Sequence, residues 1–391
     1  MLLDWTEFIA LFTLIQLLFL TAVILNYKRG KRLSNRLLAC FMASNALLIA
    51  YFLLARFGWI SQEKWIAAYS IGNSMYLLLM PFLYLYIRSL CYKDFRLKVT
   101  HLLHSIPFCI FVVFSLFIYF FNRTIPHTDV FIFLQQHIRP IEYWSHKIIL
   151  HIQIFSYLVA SAFVLTQYRK GLRDLYSSIE KIDLYWCNLL LAGFAAMWFL
   201  DLLDWLFYIS HASSQFVSYW MLISSLLINL TFTLIVTYKG LAQSGIFSGI
   251  QALPKYAASR LELSDCENII KKLTVFVNNE KPYLTSSLSV EDISKKLKIP
   301  VKNLSQAMHT CLNQNFYDFI NTHRIEEIKI RMLDNRFQNL TLLALAYDVG
   351  FNSKSVFNAA FKKHTGMTPK EYKRQYSASS NKHTNDTSNF L

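Results

Sequence analysis

Charge is scarce in this chain. Of 391 residues only 16% are Asp, Glu, Lys or Arg while 54% are hydrophobic, and that balance excludes an ordinary soluble globular protein. Cysteine is also sparse: Cys40, Cys91, Cys109, Cys187, Cys266 and Cys311 stand singly, with no CxxC pair and no Cys/His spacing that builds a zinc site. Most of them read as small apolar fillers, and neither a disulfide framework nor a metal nor any other cofactor is expected. Long apolar runs are in turn missing from residues 239–391, which have the mixed texture of a soluble helical domain, whereas 1–238 is filled with them. A boundary near Lys239 follows.

What is present in the first part is grease at membrane-spanning length. A transmembrane helix needs about 20 predominantly apolar residues, and seven segments qualify: about 5–27, 37–55, 65–87, 102–121, 148–167, 184–209 and 216–238. The acidic flank MLLDWTE and the length of the first run argue for a retained span rather than a cleaved signal. Lys and Arg are held on the cytoplasmic side. The loops after spans one, three and five contain Lys28, Arg29, Lys31, Arg32, Arg36, Arg88, Lys93, Arg96, Lys98, Arg169, Lys170, Arg173 and Lys181; the other three loops hold only Arg56, Lys64, Arg123, Arg139 and Lys147. This asymmetry predicts an inner-membrane protein with its N-terminus outside and its C-terminal domain in the cytoplasm.

Ionisable groups at membrane depth are costly and mark function by default. Asp201 and Asp204, three apart and so on one side of span six, together with His146 and His151 at the start of span five, are the candidates for sensing a signal ligand. Asn45, Asn73, Ser74, Gln153 and Asn229 add neutral hydrogen-bonding groups, Pro81 predicts a kink in span three, and packing glue between helices is the competing reading for all of these. A membrane aspartyl protease brings its aspartates together from different helices, whereas both project here from one, and a serine protease built on Ser74 and His151 rests on a pair easily met by chance, so no enzyme is expected.

The second part carries helix punctuation. Gly240, Gly245, Gly249 and Pro254 mark a connector, and residues 261–279 read as a helix with Ser264 as its cap. The apolar positions Ile269, Ile270, Leu273, Val275 and Phe276 on that helix suit either the following domain or a second copy of the chain, a homodimer. Ser289 and Asp292 form a capping box, Ile299-Pro300 stops the helix that follows, and 301–312 makes the second helix of a helix-turn-helix. Asn315 to about Asp334 is a long helix, apolar on more than one side. Thr341 and Ser353 then cap a second pair of helices about Gly350.

Ala344, Tyr347, Val349-Gly350-Phe351, Ser355, Phe357, Phe361-Lys362-Lys363, Gly366-Met367-Thr368-Pro369 and Tyr372, with NFYDFINTHRIEEIK before them, resemble the DNA-binding domain of the AraC/XylS family of transcription regulators. The resemblance covers about 282–374. It implies double-stranded DNA as partner, read by Lys302, Asn303, Ser305, Gln306 and His309 on the first unit's exposed face and by Ser353, Lys354, Ser355, Asn358 and Lys362 on the second. Two positions depart from the family: Ala359 stands where arginine is frequent, and Asn313 where glycine is usual. A membrane-embedded subgroup of the family, with several spans ahead of the same module, is the nearest likeness. The fold expected is all-α: a seven-helix transmembrane bundle in membrane lipid (1–238), a connector (239–280), a double helix-turn-helix domain (281–377) and a polar, disordered tail (378–391). The function expected is a one-component membrane-bound transcription regulator. The rival class is a membrane receptor or transporter whose basic cytoplasmic tail binds a protein.

Overall fold

The computed structural model describes residues 4–27, 31–60, 66–124, 139–180, 182–211, 214–243 and 262–376. The expected tail, residues 244–261 of the connector, the centre of the 122–147 loop and the loop cations Lys28, Arg29, Lys64 and Lys181 lie outside the described residues. Every regular element described is helical. Among the described residues, seven stretches are long and apolar enough to cross a membrane: Trp5–Asn26, Arg32–Arg56, Ile71–Cys91, Val99–Phe120, Pro140–Leu175, Trp186–Ile209 and Gln215–Ile235. The chain forms two compact units: Met1–Tyr168 with Leu184–Ala252, and Arg169–Asp183 with Leu253–Leu391.

The first unit contains α1 (Trp5–Asn26), α2 (Arg32–Arg56), α3 (Ile66–Ser74), α4 (Tyr76–Cys91), α5 (Ile106–Thr124), α6 (Arg139–Leu175, as far as Tyr168), α7 (Trp186–Ile209) and α8 (Gln215–Gln243). Helix α2 lies at the centre, packed on α1, α3 and α4, while α1 also packs on α8 and α8 on α7. Outward sides are apolar: Phe8, Phe12, Ile15 and Phe19 of α1 and Ile110, Val113 and Phe117 of α5 are exposed. Left in water, such surface would cost roughly 25 cal/mol per Å², a cost that a hydrocarbon surrounding would remove.

Several helix ends and polar residues of this unit find partners. Asp4 and Glu7 form a capping box at the start of α1. Arg56 at the end of α2 lies 3.4 Å from the Glu7 carboxylate, and the Tyr219 hydroxyl of α8 donates to Asp4 at 2.8 Å. Midway along the helices, Asn45 and Asn229 donate to each other at 2.9 and 3.1 Å, tying α2 to α8. Those two amides act as interhelical glue. Gly193 lets α7 approach α8 closely, since a Cβ there would sit 1.9 Å from the Phe232 ring.

Span three breaks earlier than its proline. The interruption falls at Met75, whose N–H bonds to the Gly72 carbonyl at 3.2 Å, and Pro81 lies inside the continuous helix α4. Proline has no N–H for the carbonyl four residues back, which here is Leu77. The side chain of Gln153 in α6 supplies the missing donor, at 3.0 Å from the Leu77 oxygen. A polar residue and a proline on different spans are thus one device, which keeps a backbone carbonyl satisfied where water is absent.

The second unit is built from 169–183, α9 (Leu263–Glu280), α10 (Val290–Leu297), α11 (Val301–Leu312), α12 (Phe316–Leu333), α13 (Leu342–Asp348), α14 (Lys354–Thr365) and α15 (369–376). Local chemistry sets the boundaries. Ser289 and Asp292 form the capping box of α10, the Asn315 side chain accepts from the Asp318 N–H at 2.8 Å, and Thr341 and Ser353 cap α13 and α14. Ser264 does not cap α9: the N-cap position is Glu262, and Ser264 falls in the first turn. Asn313 ends α11 in the left-handed region, φ 51°, a geometry Asn tolerates in place of glycine.

Two cores fill this unit. Leu273, Val277, Val290, Ile293, Leu304, Met308, Phe316 and Ile320 form the first, about α9 to α12. Ile325, Ile328, Leu345, Val349, Phe351, Phe357 and Phe361 form the second, about α12 to α14. Helix α12 contributes to both. The expectation that no disulfide forms fails for Cys266 and Cys311, which are disulfide-bonded, with Cα atoms 6.5 Å apart and 45 positions apart in sequence. Packing of α9 on α11 makes the pair, so no local spacing announces it.

Replacing Gln153 by Leu should orphan the Leu77 carbonyl and destabilise the bundle by about 0.6–1.7 kcal/mol. In a Pro81→Leu background, where the helix regains its own donor, the same replacement should cost less. A double-mutant cycle on detergent-solubilised protein measures the difference, and equal costs in the two backgrounds would refute the pairing.

Candidate nucleic-acid interface

In the second helix-turn-helix, α14 is held by Phe357 and Phe361, four residues apart and both buried. Their rings make a series with neighbours: Phe351 to Phe357 at 5.6 Å, Phe357 to Phe361 at 5.8 Å, Phe361 to Tyr372 of α15 at 5.4 Å. With one side of the helix committed to this core, the opposite side is left to solvent. Lys354, Ser355, Asn358, Ala359 and Lys362 are all exposed on it, and Ser353, half-buried, is the cap. Such a face can donate to phosphates and to base edges, and the free N–H groups at the start of the helix add to its attraction for anions.

The first unit differs. On α11, His309 is exposed and Lys302 and Asn303 are half-buried, but Ser305 is only 1% exposed and Gln306 only 9%. The exposed face expected across all five residues is therefore not open in this structure. Ser305 lies one turn before His309 and Gln306 three residues before it, so they share its side of the helix. On the His309 turn that side meets Asp174, whose Oδ1 is 2.8 Å from the imidazole Nε2. The hydrogen bond from Asp174 raises the His309 pKa against the opposing effect of burial.

Sequence reasoning missed Arg324. Its side chain is fully buried, and all five N–H donors are used. Nε donates to the Tyr283 carbonyl (2.8 Å), one terminal nitrogen to the Ser177 carbonyl and Asn321 Oδ1 (3.2 Å each), and the other to Ser177 Oγ (3.2 Å) and the Thr285 carbonyl (2.8 Å). The guanidinium also lies 5.6 Å from the Phe351 ring centroid. Burial lowers its pKa to about 10 despite the nearby Glu180 and Tyr317. The signal was available: Ile320, Arg324 and Ile328 recur at four-residue intervals, which puts the arginine on the core side of α12. Gly350 belongs to the same junction, since its φ is +97° and a Cβ would meet the Tyr283 and Leu284 carbonyls at 2.7 and 2.9 Å.

Among the sensing candidates in the first unit, Asp201 lies 3.6 Å from Lys147 and 3.8 Å from His151, both on α6. The His151 ring packs on Trp205 at 5.1 Å. Asp204 turns to α8 instead and accepts from the Ser218 hydroxyl at 2.6 Å. His146 joins neither aspartate: it is buried edge-on against Phe111 at 4.9 Å, with both ring nitrogens unpartnered. The structure therefore unites Asp201 with His151, adds Lys147, and separates them from Asp204 and His146.

Comparison with known proteins now bears on the second unit. Residues 293–375 match the family described as Helix-turn-helix domain. An uncharacterized HTH-type transcriptional regulator of Staphylococcus aureus (strain COL) is 34% identical over 86 residues, which are 22% of this chain and 11% of that protein. Another, from Pseudoalteromonas carrageenovora, is 23% identical over 121 residues, 31% of this chain and 67% of its own length. A solved structure, a protein of unknown function from Listeria innocua, covers 27% of this chain and 95% of its own at 24% identity, and its TM-score of 0.24 is too low to bear on the fold. The chain thus spans about a ninth of the length of the first of these relatives. Over residues 293–375 it therefore carries a helix-turn-helix domain, similar in sequence to HTH-type transcriptional regulators.

Proposed function

We propose that this protein is a membrane-bound one-component transcription regulator, in which sequence-specific binding of double-stranded DNA by the helix-turn-helix domain is controlled from the membrane-spanning part. The observation that carries this reading is the union, in one chain, of seven membrane-length apolar helices with a helix-turn-helix domain whose α14 presents Lys354, Ser355, Asn358 and Lys362 to solvent. Lys302, Asn303, Ser305, Gln306 and His309 are the corresponding contacts of the first unit. The N-terminus lies outside and the helix-turn-helix domain in the cytoplasm, where DNA is. Asp201, His151 and Lys147 are the place to receive the signal, because they join α6 to α7 and the Asp201 side chain is 47% exposed. Asp204, held by Ser218, and His146, enclosed by apolar packing, have structural parts in the same helices. Tethering to a membrane raises the effective concentration of one copy for another, so a weak homodimer through α9 suffices for paired binding sites.

Three measurements test the reading. Replacing Lys354 and Asn358 together by Ala should weaken specific DNA binding by about 1–3 kcal/mol for each side chain that reads a base edge, whereas Phe357→Ala should unfold the second unit at a cost of about 3–5 kcal/mol. Unchanged affinity and selectivity of the double variant at physiological salt would show that α14 is not the reading helix. Topology is tested by reporter fusions: one after Lys239 should report the cytoplasm and one within 125–138 the outside, and both on the same side would rule out the arrangement. Asp201→Asn should leave DNA binding intact and shift the signal dependence of transcription; a response curve overlaying wild type at equal protein level would count against a sensing role.

A further inference from the structure

Segment 169–183 folds with the helix-turn-helix domain, although spans six and seven lie between them in sequence. It is closed at its neck, where Arg169 Nε donates to the Asp183 carbonyl at 3.0 Å. Ser177 inserts its main chain: its N–H and its hydroxyl both donate to the Leu288 carbonyl, at 3.0 and 2.8 Å, next to the bridge between Tyr176 and Ser289. Its carbonyl and hydroxyl oxygens accept from the buried Arg324 guanidinium. Leu175 packs against the first core, and the Arg173 guanidinium lies 5.9 Å from the Tyr317 ring. From this anchored segment Asp174 reaches the His309 imidazole.

The chemistry of that last contact is an anion placed where DNA would bring one. The imidazole nitrogen engaged by Asp174 cannot at the same time donate to a phosphate. Ser305 and Gln306, on the same side of α11, are closed to solvent, and the Ser305 hydroxyl has no hydrogen-bond partner. Leaving a buried hydroxyl unpaired is costly, so the closed face is not the one in which Ser305 is best satisfied. The reading face of α14, by contrast, stays open.

We propose that segment 169–183 competes with DNA for the reading face of the first helix-turn-helix unit, so that this conformation is an autoinhibited one with only the second unit available. This rests on the DNA-binding function proposed above. Asp174 and Leu175 are the last residues of α6, the helix that also carries Lys147 and His151. Movement of that helix end takes the carboxylate off His309 and frees α11, and simultaneous use of both units restores full affinity. Since a contact shifts an equilibrium only by its own free energy, removing Asp174 should open the face in part rather than completely.

The test uses the full-length protein in lipid nanodiscs, with a duplex enriched from a random-sequence pool by the Asp174→Asn variant. That variant should bind the enriched duplex about three- to tenfold more tightly than wild type, the size of one hydrogen bond. A second readout needs no DNA: with Ser305→Cys introduced, maleimide labelling at position 305, followed by mass spectrometry, should be faster when Asp174→Asn is also present. Equal affinities and equal labelling rates overturn the proposal while leaving the DNA-binding function standing. If no duplex is enriched by either protein, the DNA-binding function falls and the proposal falls with it.

Discussion

The second unit depends on one buried cation. A guanidinium is tolerated in an interior only when its donors are met, because an unpaired buried charge costs several kcal/mol. Arg324 meets all five, and three of its acceptors are backbone carbonyls outside the α-helices: Tyr283, in a single 3-10 turn, Thr285 and Ser177. Irregular backbone inside a domain has to find such donors elsewhere. Lysine, with three donors radiating from one point, cannot serve acceptors spread in this plane. By lying against Phe351 as well, Arg324 ties the approach to the first helix-turn-helix to the turn of the second. Helices α11 and α14 are therefore held in a defined relation through α12.

A similar rule governs several polar groups of the first unit. They pair across helices: Asn45 with Asn229, Gln153 with the carbonyl freed by Pro81, and Asp204 with Ser218. Against that background the cluster of Asp201, Lys147 and His151 stands out. Its separations of 3.6 and 3.8 Å are longer than hydrogen bonds, and both His151 nitrogens lack a hydrogen-bond partner. Loosely held charge beside aromatic rings is the kind of arrangement a ligand or a change of helix packing can reorganise, whereas the amide pairs are already satisfied.

What could be read before the structure was largely what neighbouring residues decide. Capping by Ser289, Thr341 and Ser353 depends on residues within one turn, and it put the helix boundaries within a residue or two of those observed. The exposed face of α14 followed from Phe357 and Phe361 alone, since a helix with one side buried has its other side fixed by geometry. The same logic failed on α11, where the covering surface comes from elsewhere in the chain and periodicity cannot detect it. Asp201 and Asp204 illustrate the point on a smaller scale: three positions apart, they are offset by about 60° around the helix, enough for one to meet α6 and the other α8.

Sequence by itself therefore determined the membrane-length helices, the punctuation of the second unit and the family likeness, because hydropathy, capping and turn geometry act over a few residues. Tertiary structure alone decided that Arg324 and Ser177, 147 positions apart, share a hydrogen bond, that Cys266 meets Cys311, and that Asp174 closes on His309. Those contacts join segments whose separation in sequence carries no period and no motif. Each arises only when whole helices pack and buried polar groups must find partners within reach.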